Sequence, residues 1–298
     1  MFQYEIQKDG VRITGYRGRE NYVNIPEELE GLPVIGIGKK CFVGNKQIKE
    51  VTVPKQVTFM EDWAFANCNQ LERVELPGRE MEFGKGVFQG CTSLAKIVTG
   101  AEGCHTEEAR QRAEQTGALL AATVNGLDAY HLFSLTEAGS EQWLTVWDAK
   151  LLSFLQIDDT KGFTVVILCG EEDYDSDENS LEYFVKQKRK TKVRMAFMRL
   201  MNSIGLQEEM KQELLSYLQT HTKGCESEEA WEVVLKEHGQ DRVFYEAFAE
   251  YGCVTENNFD AILADIDDTL MEMKAFFMKY KEEVLGYQDF FEGLSFEL

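Results

Sequence analysis

The residues with the most chemical promise stand near the end of the chain, in "ILADIDDTL" (262–270), where an apolar run leads into Asp265, Asp267 and Thr269 at alternate positions. An aspartate at the tip of a buried strand can attack a phosphoryl group to give an aspartyl-phosphate, while a second carboxylate two residues on acts as acid and base. That chemistry also needs a later Ser or Thr, a lysine and a further acidic pair to hold Mg²⁺. Only 29 residues follow Thr269, too few for a parallel sheet and the missing groups. The preceding "TENNFDAILADI" has helical period, with Phe259, Ile262 and Leu263 on one face. A helix ending in an acidic turn is expected there, and a Mg-dependent phosphohydrolase-like enzyme built on Asp265 and Asp267 is the alternative.

Two other stretches carry chemical residues. "EEDYDSDENS" (171–180) spaces Asp173, Asp175 and Asp177 like a calcium loop, but Glu178 stands where such a loop turns on glycine and Phe184 where it closes on glutamate. A solvated linker is expected. "KQKRKTKVR" (186–194) places six bases in nine residues without interleaved aromatics, which argues against nucleic acid; a solvated helix face pairing with the acidic loop before it is expected, and a site that grips phosphate or an acidic partner is the alternative. Four histidines (His105, His131, His221, His238) and seven cysteines are scattered without CxxC pairs, which gives no metal site, no cofactor and no disulfide framework. A reducing cytoplasm fits the cysteines. No basic stretch opening an apolar run begins the sequence, and nothing approaches 18 uninterrupted apolar residues, so neither export nor a membrane partner is expected.

The elements that position these residues fall into two halves. Residues 1–124 carry 17 acids against 15 bases, and residues 125–298 carry 35 against 16, so almost all of the net charge of −21 lies in the second half. The first half repeats. Phe42, Phe65 and Phe88 are 23 residues apart, and Ile48, Leu71 and Leu94 keep the same step. So do Cys41, Ala64 and Val87, and Ile37, Met60 and Phe83. One such unit has a single apolar edge and buries it only against its neighbours. "VTVP" and "VELP" alternate β-favouring residues and stop at Pro54 and Pro77, as short strands do. Cys68 and Cys91 share a phase and are expected to stack as small hydrophobes.

The strings "IGKKCFVGNKQIKEVTVP", "MEDWAFANCNQLERVELP" and "FGKGVFQGCTSLAKIVTG" resemble the bacterial surface-antigen type of leucine-rich repeat, whose units read roughly "IxxxAFxxCxxLxxVxIP". The resemblance covers about residues 4–100. It implies a solenoid closed by "VTGAEGCHTEEARQRAEQTGALLAATV" as a short helix and a last strand, and members of the family are often secreted or surface-attached.

From Asn125 the apolar spacing becomes three and four. "SEQWLTVWDAKLLSFLQ" puts Trp143, Trp147, Leu151 and Leu155 on one stripe behind Ser140 as N-cap, and Trp231 follows a similar stripe. The fold class expected is therefore a two-domain chain, a β-rich leucine-rich repeat solenoid (1–124) followed by an acidic all-α helical domain (125–298). "GFTVVILCG" (162–170) reads as a lone buried strand or a helix turn. With a strong repeat and no catalytic constellation, the chain is expected to be a non-catalytic protein-protein interaction scaffold with a protein partner. Strand alternation turns Asn24, Thr52 and Glu75 outward. Trp63, whose register mates are Lys40 and Gly86, joins them as a candidate partner-binding anchor.

Overall fold

The computed structural model describes residues 1–100, 106–127, 129–163 and 180–286. The chain divides into two compact units, Met1–Gln156 with Met198–Gln207, and Ile157–Phe197 with Glu208–Leu298. The stretch 164–179, which holds the calcium-like spacing and most of "GFTVVILCG", lies outside the described residues, as do His105 and 287–298.

The first unit opens with β1 (Phe2–Gln7), β2 (Gly10–Tyr16), β3 (Tyr22–Asn24), β4 (Glu28–Leu29) and β5 (Leu32–Ile37). It continues through β6 (Glu50–Thr52), β7 (Phe59–Met60), β8 (Arg73–Leu76), β9 (Glu82–Phe83) and β10 (Lys96–Thr99). An antiparallel β1–β2 hairpin starts one sheet, which β5, β7 and β9 extend in parallel. A second, wholly parallel sheet runs β3, β6, β8, β10. Each coil of chain gives one strand to each sheet, so the repeat seen in the sequence is a solenoid.

Its core is a column of rings. Tyr16, Phe42, Phe65 and Phe88 stack with centroids 5.3, 4.5 and 5.6 Å apart. Phe2 closes one end at 5.0 Å and Phe133 the other at 6.1 Å. Val23, Val51, Val74 and Ile97 form the matching inward row of the parallel sheet, all buried. The thiols of Cys68 and Cys91 donate at 3.1 Å to the carbonyls of Phe42 and Phe65 one coil back, and both residues are fully buried, as the shared phase predicts.

After the last coil comes α1 (Glu107–Asn125), capped by the Thr106 hydroxyl, which accepts from the Ala109 amide at 3.2 Å. Here the expectation needs correction. "ALLAATV" is helical throughout, with Ala118, Leu119, Leu120 and Val124 buried, rather than a last strand. Alanine and leucine continue the helix without a breaker up to Gly126, and a helix face covers the open end of the solenoid as a strand would not. Gly117 makes the fit possible: a Cβ there would lie 2.8 Å from the Ile97 carbonyl oxygen of β10. α2 (Glu141–Gln156) follows, with Ser140 Oγ accepting from the Trp143 amide at 3.2 Å. Trp143, Trp147, Leu151 and Leu155 are buried on the stripe that their spacing predicts.

The second unit takes α3 (Leu181–Met201) as far as Phe197, then α4 (Glu208–Thr220) and α5 (Glu229–Glu232), which a π-helical turn continues over Val233–Glu237. It is completed by α6 (Arg242–Glu250), α7 (Phe259–Asp265) and α8 (Met271–Tyr280). Trp231 anchors its core against Tyr245, Phe248 and Phe277, all buried. A β-rich solenoid followed by a helical region is the fold class that the sequence pattern leads to.

Candidate interaction surface

The parallel sheet of the solenoid carries the candidate surface. Because inward valines alternate with outward residues, Asn24 stands directly across from Thr52, and Thr52 from Glu75. Asn24 and Thr52 are exposed and Glu75 is half-buried. A second outward row, two residues earlier, aligns Tyr22, Glu50, Arg73 and Lys96. Tyr22 is 67% exposed, a large ring left in solvent at the start of that row.

The surface is bounded at β10. Val98 stands opposite Glu75, in an outward position, and is nevertheless buried. Glu114 of α1 accepts hydrogen bonds from Arg73 at 3.1 Å and Lys96 at 2.8 Å. Burial pushes the Glu114 carboxyl up, but the two cations outweigh it and hold its pKa below the usual carboxylate value. The helix therefore closes the β10 end and reaches Arg73 of β8, while Asn24 of β3 and Thr52 of β6 stay exposed.

Trp63 belongs to neither row. It lies in the turn after β7, half-buried, in the left-handed region at φ +55°. Its register mates Lys40 and Gly86 share that conformation, both at +57°, so the turn recurs in each coil and tryptophan occupies a position where glycine is least strained. The ammonium groups of Lys39 and Lys40 sit 5.0 and 5.5 Å from the indole centroid. Structure thus brings Asn24, Thr52 and Glu75 together and sets Trp63 apart from them.

The aspartates of "ILADIDDTL" have structural partners. Asp265 is the last residue of α7 and not on a strand. Its carboxylate accepts from Trp231 Nε1 at 2.8 Å and Lys223 Nζ at 2.9 Å. Burial raises its pKa, and these donors lower it further than burial lifts it. Asp267 accepts from the Thr269 amide at 2.8 Å, an Asx turn, and Asp268 pairs with Lys274. The row of acids is a helix end and a turn. Among the described residues no three His, Cys, Asp or Glu side chains converge to hold a metal ion.

The basic run also differs from expectation. On α3, Lys186 and Lys190 reach Glu232 at 2.7 and 3.1 Å, while Arg189 and Lys192 reach Asp159 at 2.7 and 2.6 Å. Arg194 pairs with Glu237 at 2.6 Å, and Lys192 is only 3% exposed. Burial pushes Glu232 up, but the lysines overcome it and draw its pKa down to about 2. The run is a partly buried ionic network in which Lys192 is buried while Lys186 and Arg194 keep about two-fifths of their side chains in solvent; its acidic partners are remote in sequence, so the sequence does not pair them. A second pair is hidden in the sequence for the same reason. Fully buried Arg199 forks onto Asp148 at 2.6 and 3.0 Å and donates to the carbonyls of Asn202 and Ile204. The available signal was a charge inside each apolar stripe, "MAFMRLM" and "TVWDAKLL".

Comparison with known proteins bears on the solenoid. Residues 21–106 match the BspA type Leucine rich repeat region in six copies. A leucine-rich repeat protein from Bacteroides capillosus ATCC 29799 is 32% identical over 33% of this chain and 76% of its own, with a TM-score of 0.31. The chain belongs to the BspA type leucine-rich repeat family. The T. pallidum leucine-rich repeat protein TpLRR is 37% identical over 33% of this chain, with a TM-score of 0.32, and the chain spans 46% of that protein's length. A leucine rich cell surface protein from Faecalibacterium prausnitzii A2-165 is 27% identical over 33% of this chain and 28% of its own, with a TM-score of 0.30. A search of curated proteins returns no match. The BspA-type likeness is confined to the solenoid, and among the described residues no helix is long and apolar enough to cross a membrane.

Proposed function

We propose that the chain is a non-catalytic interaction protein that recognises a protein partner with the open face of its BspA-type solenoid. The observation that carries this is the in-register outward row of Asn24, Thr52 and Glu75, one residue per coil and backed by a rigid stacked core. A surface of this kind presents polar groups at fixed intervals without ordering anything on binding, which limits the entropic cost of association. Recognition is carried within residues 1–124. A cytoplasmic location is part of the proposal: Cys41, Cys68, Cys91, Cys225 and Cys253 are all unpaired, which suits a reducing compartment.

Replacing Thr52 with arginine in the full chain tests the surface. Thr52 is exposed and central, so the fold is expected to survive with its circular dichroism and melting temperature unchanged, while partner capture falls. Unaltered capture would place recognition elsewhere. Phosphate release in the presence of Mg²⁺, lost in Asp265→Asn, would instead show that the acidic turn does chemistry.

A further inference from the structure

A separate feature of the first unit fits a ligand, and it goes beyond the sheet surface. Where the last coil meets the residues after α1 there is a cleft of about 540 Å³, lined by Phe83, Gly86, Phe88, Val124, Tyr130 and Phe133. Its volume is in the range of clefts that accept one large side chain and its neighbours. Phe133 stands edge-on to Phe83 at 4.9 Å and so forms an aromatic wall. Gly86 is the sill between this cleft and Trp63: a Cβ on it would come 2.9 Å from the indole. The exposed turn edge and the apolar cleft are therefore continuous.

The charges around this edge are sorted. Glu61 is held by Arg12 at 2.5 Å and by the Lys39 amide at 2.8 Å. Asp62 accepts from the Lys85 amide at 2.8 Å and lies 3.8 Å from Lys39 Nζ. Among the described residues Lys40 and Lys85 have no ion-pair partner, and both are exposed. Lys85 lines the cleft and the Lys40 ammonium lies 5.5 Å from the Trp63 ring centroid, so two exposed cations without a carboxylate partner border the cleft and the half-buried indole. Trp63, like its register mate Lys40, holds a left-handed conformation that glycine adopts with less strain.

We infer that Trp63, Lys40, Lys85 and the adjoining Phe83–Phe133 cleft form a docking site for an acidic peptide segment, one aromatic or aliphatic side chain entering the cleft and flanking carboxylates meeting the two lysines. The apolar side chain supplies burial, and the lysines select the sign of its neighbours. The opposite charge pattern on a partner would place ammonium groups against Lys40 and Lys85.

The test uses the full chain and a labelled, blocked heptapeptide with one phenylalanine among aspartates and glutamates, followed by fluorescence anisotropy. Trp143, Trp147 and Trp231 are 4%, 0% and 1% exposed, so acrylamide-quenchable fluorescence reports on Trp63. The peptide is expected to bind and to protect that fluorescence. Lys40→Glu with Lys85→Glu is expected to weaken binding by about tenfold or more, because both cations become like charges. Trp63→Gly, compatible with the left-handed turn, is expected to melt no lower than the native protein yet to lose the peptide. Thr52→Arg, on the other surface, is expected to bind the peptide unchanged. The proposal is overturned if alanine in place of the phenylalanine leaves affinity intact, or if a lysine-rich peptide binds equally well. It is also overturned if neither peptide protects Trp63, if an oligothymidylate protects it better, or if protection rises with protein concentration alone.

Discussion

Arg199 and Asp148 show how a single buried charge depends on its partner. The guanidinium is fully buried and its fork is matched by one carboxylate and two backbone carbonyls. Asp148→Ala would strand that cation, with an expected loss of about 3–5 kcal/mol in chemical denaturation. Replacing both partners together, Asp148→Leu with Arg199→Met, is expected to recover most of the loss, since no charge is then left without its counterpart. A double variant as unstable as the single one would mean that the carbonyl contacts, rather than the ion pair, hold this corner. Asp265 acts on the same scale. Its work is to accept from Trp231 and Lys223, so Asp265→Asn is expected to lower stability by about 1 kcal/mol and to change no phosphatase activity.

At the scale of elements, the ring column controls the solenoid. Phe65 stacks between Phe42 and Phe88, and Phe65→Ala is expected to cost about 3–5 kcal/mol, because a cavity there separates two coils at once. Trp63→Ala, two residues away but half-exposed, is expected to cost far less, and equal losses in thermal melts would contradict the assignment of Phe65 to the core. The coils were legible because each buries the same chemistry at the same step, so one phenylalanine phase fixes strands, turns and inward valines together. The α2 stripe was legible from tryptophan and leucine spacing. The end of the repeat was less so: "ALLAATV" suits a strand or a helix by composition, and only its seat on β10 through Gly117 decides. α3 was legible as a helix, but the destinations of its bases were not, since Asp159, Glu232 and Glu237 lie 30 or more positions from them. The outward row followed from alternation, whereas its limit at β10 depends on α1, and the cleft beside Gly86 depends on Phe133, far along the chain.

For the molecule as a whole, acid should act through the carboxylates that cations hold. Glu114, Asp159, Glu232 and Asp265 all have folded pKa values below their ordinary ones, Glu232 moving from 4.5 to about 2. A depressed carboxylate stabilises the fold fully above its unfolded pKa and ceases to do so as pH falls through the folded value. Stability is therefore expected to decline between pH 4.5 and about 2, with Glu232→Gln weaker than the native chain at pH 7 and converging with it near pH 2. A difference that persists undiminished to the acid limit in urea titrations would assign Glu232 a packing role instead. The uneven charge, nearly balanced in residues 1–124 and strongly acidic beyond, also means that weak association driven by charge alone will fade with salt. The decisive measurement is capture of a partner from extract of the native cells at high salt, comparing the full chain with its Asn24→Arg, Thr52→Arg, Glu75→Arg triple variant, each shown to melt alike. The open sheet as recognition surface requires a defined protein held by the native chain and lost from the variant. Equal retention by both would contradict it.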